Sequence, residues 1–552
     1  MSLPTFSTQQ PLFGRSTQPT ELFAPDNRYR LFAQKIYPLL GAARPQLAAC
    51  YCLTNGRAAI EPVLLLAITL LQFLGNIPDR LALELARYHA GWALALNQAL
   101  GDVVFDPTVL VRFRERLIRH DQARLAFATI LEGLLAAGLV SGQHKQRLDS
   151  LYVVGKLARL NSLDCVRETL RLALQELEVR ATAFGQPVAW AQWWERYVEH
   201  QLDPRSHDDT LHAKLQQAGQ DAWAVHQWID TLSDKTIAAG AHVQLLARVL
   251  AEHFELGATG QLAARHAPVT AALQNPHEPD ATYACKGQGR HKKEVIGYKL
   301  QVAETVPATP LAKGEPTRSF LVAVEIQPAH ASDEAGQRQV EAAQAASGLD
   351  KPPVLYVDAA YVGAARLVEF SAEGRQLRGP AQPAPHKAGR FSTADFDVHI
   401  CDRRAVCPAG NDNTQCSRLV EEKTGRVQYR FEWSTQCHAC AQRGQCLGQD
   451  QRHRTLVVGE HHEALQARRR EQMTEAFQIE MRHRNAVEGT QSELVRGHGA
   501  RQARYRGAPQ VRLQNYFIGA ACNVKRWIKR QQWELKQAAR TAVGAVAFAP
   551  SG

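Results

Sequence analysis

No stretch of this chain is long and apolar enough to cross a bilayer. The longest apolar run, Pro62 to Ile77, is interrupted by Gln72 and Gly75 and falls short of the roughly 20 residues a spanning helix needs; it reads as a buried helix. The N-terminus, Met1 to Gln10, lacks a charged segment followed by an apolar one, so no export signal is expected and the chain reads as intracellular, with no membrane partner. No internal repeat is detectable. Acids are in deficit, 54 against 65 Lys and Arg, for a net charge of +11 and a pI near 9.1. That balance favours a polyanionic partner, nucleic acid first. Disulfides are unusual in a reducing compartment, and six of the 11 cysteines fall between Cys401 and Cys446, which argues for a local role.

What is present is a soluble globular composition, 45% apolar and 22% charged, over 552 residues. That length implies about three domains. Residues 1–25 are rich in Gln, Ser, Thr and Pro and read as a flexible arm. From 26 to 140 apolar residues recur at helical spacing, for example Leu110, Phe113 and Leu117. Helix starts are marked by Pro78-Asp79 and by Asp106-Pro107-Thr108. At Arg147 to Val154 the pattern changes to that of a strand. Residues 165–279 return to helical periodicity, with Trp190, Trp193, Trp194, Trp223 and Trp228 in a helical insertion. Strands resume at Gly297–Val302, Phe320–Ile326 and Val354–Asp358. The helical stretch 333–347 between the last two suggests a strand–helix–strand unit with a parallel pair. A Pro/Ala/Gly-rich boundary at Gly379–His386 precedes a Cys-rich segment over 386–455. A long helical region from Glu460 to Val495 and a last helix from Val511 to Lys529 follow, then a tail over 536–552.

Charge is concentrated near the end of the chain. Residues 451–540 hold 18 Lys or Arg against 8 Asp or Glu, so this segment delivers nearly all of the net charge. Within it, Glu488 lies four residues after Arg484, on one face if the segment is helical. Two further acids stand out by position: Asp149 in an apolar strand, and Asp358 at the carboxyl end of another, where α/β sheets place ligands. Two strand-borne acids and one helix-borne acid suit a pair of Mg²⁺ ions, which take oxygen ligands and keep several waters. Glu493 competes with Glu488 but points roughly 140° away around a helix. The bland reading of each acid alone is a cap, a turn or an ion pair. Arg496, His498, Arg501, Arg504 and Arg506 form an Arg-rich loop beside the proposed site and suggest contact with DNA phosphates. Cys407, the Cys437/Cys440 pair and Cys446 match a structural Cys₄ zinc site, with Cys401, Cys416 and His438 as spare ligands. Buried reduced cysteines are the simpler alternative.

An ordered set of short motifs resembles the DDE-type bacterial insertion-sequence transposases. The set is Tyr51 with Gly56 to Pro62, Ile77 to Arg80, Asp106 to Leu117, Leu148-Asp149-Ser150, Gly297-Tyr298-Lys299 and Val357 to Val362. It continues with Arg484 to Glu488, Gly497 to Gly499, Arg504 to Gly507, and Asn523 with Arg526. Departures are Leu151 and Tyr152, where relatives often carry Thr and His, and Met481, where many carry Tyr. No lysine follows Glu488 at the usual distance, and Arg496 is the nearest substitute.

The resemblance implies an α/β catalytic core, a ribonuclease H-like mixed sheet flanked by helices, built from 141–164, 280–385 and 456–535. To it are added an all-helical N-terminal domain, the helical insertion and the small Cys-rich insertion. It implies Asp149, Asp358 and Glu488 as catalytic ligands of two Mg²⁺ ions. Cleavage at terminal inverted repeats and strand transfer would follow, on double-stranded DNA, by a homodimer or larger assembly in the cytoplasm at the nucleoid. Arg484, Arg496, Arg501, Arg504 and Arg506 would meet the DNA backbone. The alternatives are a metal-dependent nuclease without strand transfer and a decayed copy that only binds DNA.

Overall fold

The computed structural model describes residues 23–547 apart from 53–55, 57, 182–183, 200–207, 258–261, 270, 288–291, 385–387 and 423. The arm over 1–25 therefore lies almost wholly outside the described residues, as does part of the Gly379–His386 boundary.

The N-terminal region is helical because its apolar residues repeat on one face and its helix ends are capped. The helix Pro62–Gly75 starts at Glu61, whose carboxylate accepts the Val63 N–H at 3.3 Å, and ends at Asn76 in the left-handed conformation, φ 52°. It is apolar and buried almost all round, as suits a central core helix rather than an amphipathic surface one. Asp79 opens the next helix, Asp79–Tyr88, and is clamped by both Arg114 guanidinium nitrogens at 3.0 and 2.5 Å. Among the described residues no single helix is long and apolar enough to cross a membrane.

Strand β1 spans Gln146–Val154. The insertion that follows packs helices Ser162–Ala181, Asp208–Thr231 and Ala241–His253 around its own apolar cluster, which includes Trp190 and Trp193. It also contains a short hairpin, β2 (Phe254–Leu256) with β3 (Leu262–Ala264), inside a stretch expected to be helical. Strands β4 (Thr282–Lys286), β5 (Lys293–Thr305), β6 (Leu321–Pro328), β7 (Val354–Tyr356) and β8 (Gln376–Arg378) complete the main sheet. The order is β6–β5–β1–β7–β8, with β4 pairing the first residues of β5. β5 is antiparallel to β1 and β6, whereas β7 and β8 run parallel to β1.

This order corrects the expected strand–helix–strand pairing. The helix Asp333–Ala345 does join β6 to β7, but β7 pairs with β1, and β5 and β1 lie between β6 and β7. β6 is held outside by its antiparallel ladder to β5, so the helix must carry the chain back across the sheet. β7 is short and wholly apolar, Val-Leu-Tyr, and suits the interior position.

Alternation along β1 assigns two layers. Gln146 and Ser150 bond to Gln344 and Asp333 of the helix on one face; Arg147 and Asp149 point to the other, where His483 and Arg484 lie. The last helix covers that second face. It runs from Ala508 to Ala547, 40 residues, and so takes in most of the expected tail. Its Asn523 amide bonds both the N–H and C=O of Leu321 at 2.8 and 2.9 Å, splicing the helix onto the start of β6. N-terminal helices, sheet and last helix share one continuous apolar core.

The Cys-rich segment folds as small β-structure with a separate core around Phe396, Phe431 and Trp433. It holds a hairpin of β9 (Asp397–His399) and β10 (Arg404–Val406), and a three-stranded sheet of β11 (Gln415–Val420), β12 (Val427–Glu432) and β13 (Thr455–Gly459). The helical region expected over 460–495 consists of short helices at His462–Glu471, Glu475–Glu480, Arg482–Asn485 and Val487–Ser492. Thr474 makes one of the breaks between them by capping the Phe477 N–H.

Candidate active site

The parallel ladder of β1 and β7 sets the geometry. Arg147 pairs with Tyr356, and Asp149 and Asp358 each follow two residues later, Asp149 still on β1 and Asp358 just past the end of the parallel β7. β7 stops at Tyr356 because the next residues turn. Asp358 accepts the Ala360 N–H at 2.9 Å and opens a single turn of helix, Ala359–Tyr361. Asp149 is buried, and burial raises its pKa. The Ser150 N–H at 2.8 Å and the Arg484 guanidinium work against that rise, and the negative charge of Asp358 adds to it.

The third acid comes from the opposite layer. Arg484 reaches from the helix Arg482–Asn485 to Asp149 at 3.0 Å, and its other terminal nitrogen is 3.6 Å from Glu488. One guanidinium thus bridges Asp149 and Glu488, with its Nε buried and without a hydrogen-bond partner. Glu488 itself is 71% exposed. Gln491 steadies the helix against β1 by donating to the Ser150 carbonyl at 3.2 Å. Beside these groups lies a cavity of about 240 Å³ lined by Asp358, Phe477, Met481, Arg484 and Asn485.

Glu493 faces elsewhere. It is ion-paired with Lys525 at 2.9 Å and Arg526 at 3.0 Å. Burial would raise its pKa, but Arg526 and Lys525 outweigh this and hold it at about 2. Arg526 in turn donates to Glu304 and Thr490, and Glu304 also takes Arg147 at 2.6 Å. These partners form a buried charged network behind the glutamate helix. Sequence reasoning missed Glu304, although a charged residue in an apolar strand was a usable signal.

The arginines divide into two groups. Arg496, Arg501 and Arg506 are exposed. Arg504 is not a surface cation: it donates to the Ile77 carbonyl and the Asn76 side chain and lies over the Phe73 ring. It ties the loop to the N-terminal helices, which corrects its expected role. His498 is fully buried, with Nδ1 3.1 Å from the Phe73 carbonyl, and burial lowers its pKa.

Cys407, Cys437, Cys440 and Cys446 line one small cavity with Trp433 and Arg454. Burial raises the Cys446 thiol pKa; Arg454 lowers it, and the other three cysteines raise it further. Cys401, Cys416 and His438 do not line this cavity. Among the described residues, the one cluster with three metal-capable atoms within 4.8 Å is Glu493, His498 and Cys522. Its glutamate is already taken by Lys525 and Arg526, so it is poorly suited to a cation.

Comparison with known families adds two matches. Residues 406–528 match a transposase DDE domain, and residues 18–116 match a transposase domain, DUF772. Both matched families are transposase domains, and together they cover less than half of the chain. Together they support an insertion-sequence DDE transposase, as the motif resemblance implied. Domains of this class cleave DNA and generally use a divalent metal. No curated protein matches the chain significantly.

The ionised Glu493 has a pKa below its ordinary 4.5, so its stabilisation is present above about pH 4.5 and is lost as pH falls toward about 2. Thermal unfolding of the unaltered chain is expected to fall more steeply over that window than that of Glu493→Gln. Parallel profiles would contradict the assignment.

Proposed function

We propose that the chain cuts DNA at the terminal inverted repeats of an insertion sequence and joins the freed ends to target DNA, with Asp149, Asp358 and Glu488 as the catalytic carboxylates. The observation that carries this is that Asp149 on β1 and Asp358 just past the end of β7 each follow two residues after a paired position of the parallel ladder, with Arg484 linking Asp149 to Glu488. The strand order, three antiparallel strands followed by two parallel ones, supports reading the core as ribonuclease H-like.

The residues fit a divalent cation. Asp149 and Asp358 act on one another electrostatically, Arg484 links Asp149 to Glu488, and a cavity adjoins Asp358. The three carboxylates do not lie within 4.8 Å of one another, so a bound cation would draw them together. The donors are all oxygens, which suits Mg²⁺. When bound, a pair of such ions activates the attacking water or 3′-hydroxyl and stabilises the leaving oxygen. Asp149 is held by β1 and Asp358 by its cap on the turn after β7, and exposed Glu488 would close the site from the helix. Arg484 holds Glu488 to Asp149 through its two terminal nitrogens. Arg496, Arg501 and Arg506 extend the positive surface along the DNA backbone. Two ends must be processed together, so a homodimer or larger assembly on DNA is the working unit. The four cysteines line one cavity but are not at zinc-ligand spacing as they stand; drawn together they would hold a structural Zn²⁺ that fastens the small β-structure.

Asp149→Asn, Asp358→Asn and Glu488→Gln should each slow cleavage of end-containing DNA on the order of 10³-fold, about 4 kcal/mol on the barrier, with end binding retained. A variant that cuts at near the normal rate removes that residue from the site. Cleavage without joining would instead indicate a nuclease. For the cysteines, metal analysis of the purified chain should find about one zinc per chain. Less than about half an equivalent, or an unchanged content in Cys437→Ser/Cys440→Ser, would contradict the zinc site.

A further inference from the structure

Strand β5 extends beyond the sheet. Its partners in β1 end at Gly297 and those in β6 at Tyr298, so Lys293–Ile296 pair only with β4. Past Gly297 the Ile296 carbonyl still accepts the Gly155 N–H at 2.8 Å and Thr282 and Ala284 stay buried, whereas the tip, Cys285 and Lys286 with Lys293 and Glu294, is exposed. Gly297 is the last residue of β5 paired to β1, with φ +153°, and a Cβ there would meet the Val153 carbonyl at 2.1 Å.

The charges at the tip of this β4–β5 ribbon are unusual. Lys286 stands directly opposite Lys293 in the ladder, and both are exposed. Like charges in that arrangement are destabilising. The one acid beside them, Glu294, is occupied by Lys292 at 2.6 Å and by the Tyr283 hydroxyl at 2.9 Å. Arg159 adds a fourth cation, its guanidinium 5.5 Å from the centre of the Tyr283 ring. Lys286 also lies near enough to Asp149 for its charge to act on that carboxyl.

We infer that the β4–β5 ribbon is a DNA-contacting arm, in which Lys286 and Lys293 meet backbone phosphates of the duplex next to the acids. This rests on the transposase reading. A polyanion accounts for this arrangement, because it offsets the repulsion between the lysines that face one another at the exposed tip. The position beside Asp149 favours duplex DNA over an acidic protein, because the strand being cut must pass there. A ribbon of two strands is also of a size that the major groove admits.

The test is the salt dependence of binding by the full chain to a duplex carrying the terminal repeat, between about 50 and 200 mM salt. Each phosphate contact contributes about 0.9 to the slope of log K against log salt. Lys286→Ala/Lys293→Ala should therefore reduce the slope by about 1.8, and Lys286→Arg/Lys293→Arg should keep it. Both lysines are exposed, so thermal unfolding should be unchanged or slightly improved. An unaltered slope in the alanine pair overturns the inference, and so does a slope lost in the arginine pair. If the unaltered chain itself shows no salt-dependent duplex binding, the transposase reading falls and the ribbon's role with it.

Discussion

Glu304 is the point on which the arrangement turns. It is fully buried on β5 and takes Arg147 from β1, Thr490 from the glutamate helix and Arg526 from the last helix. A buried carboxylate is tolerated only when its partners satisfy it, and losing one partner leaves an uncompensated charge worth roughly 3–5 kcal/mol. The network therefore permits one register of helix against sheet. Thr490 and Glu493 must face inward, and successive residues on a helix are about 100° apart. Glu488 is thereby turned out toward Arg484 and Asp149. The choice between the two glutamates is made by the partners of one of them.

The same logic links the remaining layers. Asn523 joins the last helix to β6, Arg504 joins the basic loop to Asn76, and Arg114 clamps Asp79. Each of these polar ties borders the apolar core shared by the N-terminal helices and the sheet. The helical insertion and the Cys-rich segment have cores of their own. The chain thus reads as one main body with two attached units. The exposed tip of β4 and β5 extends past the rest of the sheet, beyond Gly297.

Local features were legible before the fold was known. β1 announced itself through a short run of strand-forming residues, and Pro62–Gly75 through its apolar run. Asp358 was legible as an acid ending a strand. Pairing was not legible, because the preference of β7 for β1 over β6 depends on which edge β6 fills. The breaks between the helices after Glu460 were not legible either: a cap at Thr474 interrupts a stretch whose periodicity continues. Arg504 looked like its exposed neighbours because a guanidinium's partners, here Asn76 and Ile77, lie more than 400 residues away in sequence. The bridging role of Arg484 was visible only in part. Its i, i+4 relation to Glu488 is local, whereas its contact with Asp149 spans 335 residues.

The central claim is that Asp149, Asp358 and Glu488 share one divalent-cation site. The most direct measurement replaces Mg²⁺ with Fe²⁺ and maps where locally generated hydroxyl radicals cut the polypeptide. The account predicts three clusters of cuts, around Asp149, Asp358 and Glu488, all suppressed by excess Mg²⁺. Cuts confined to one of these segments, or found only among the cysteines between Cys407 and Cys446, would contradict it.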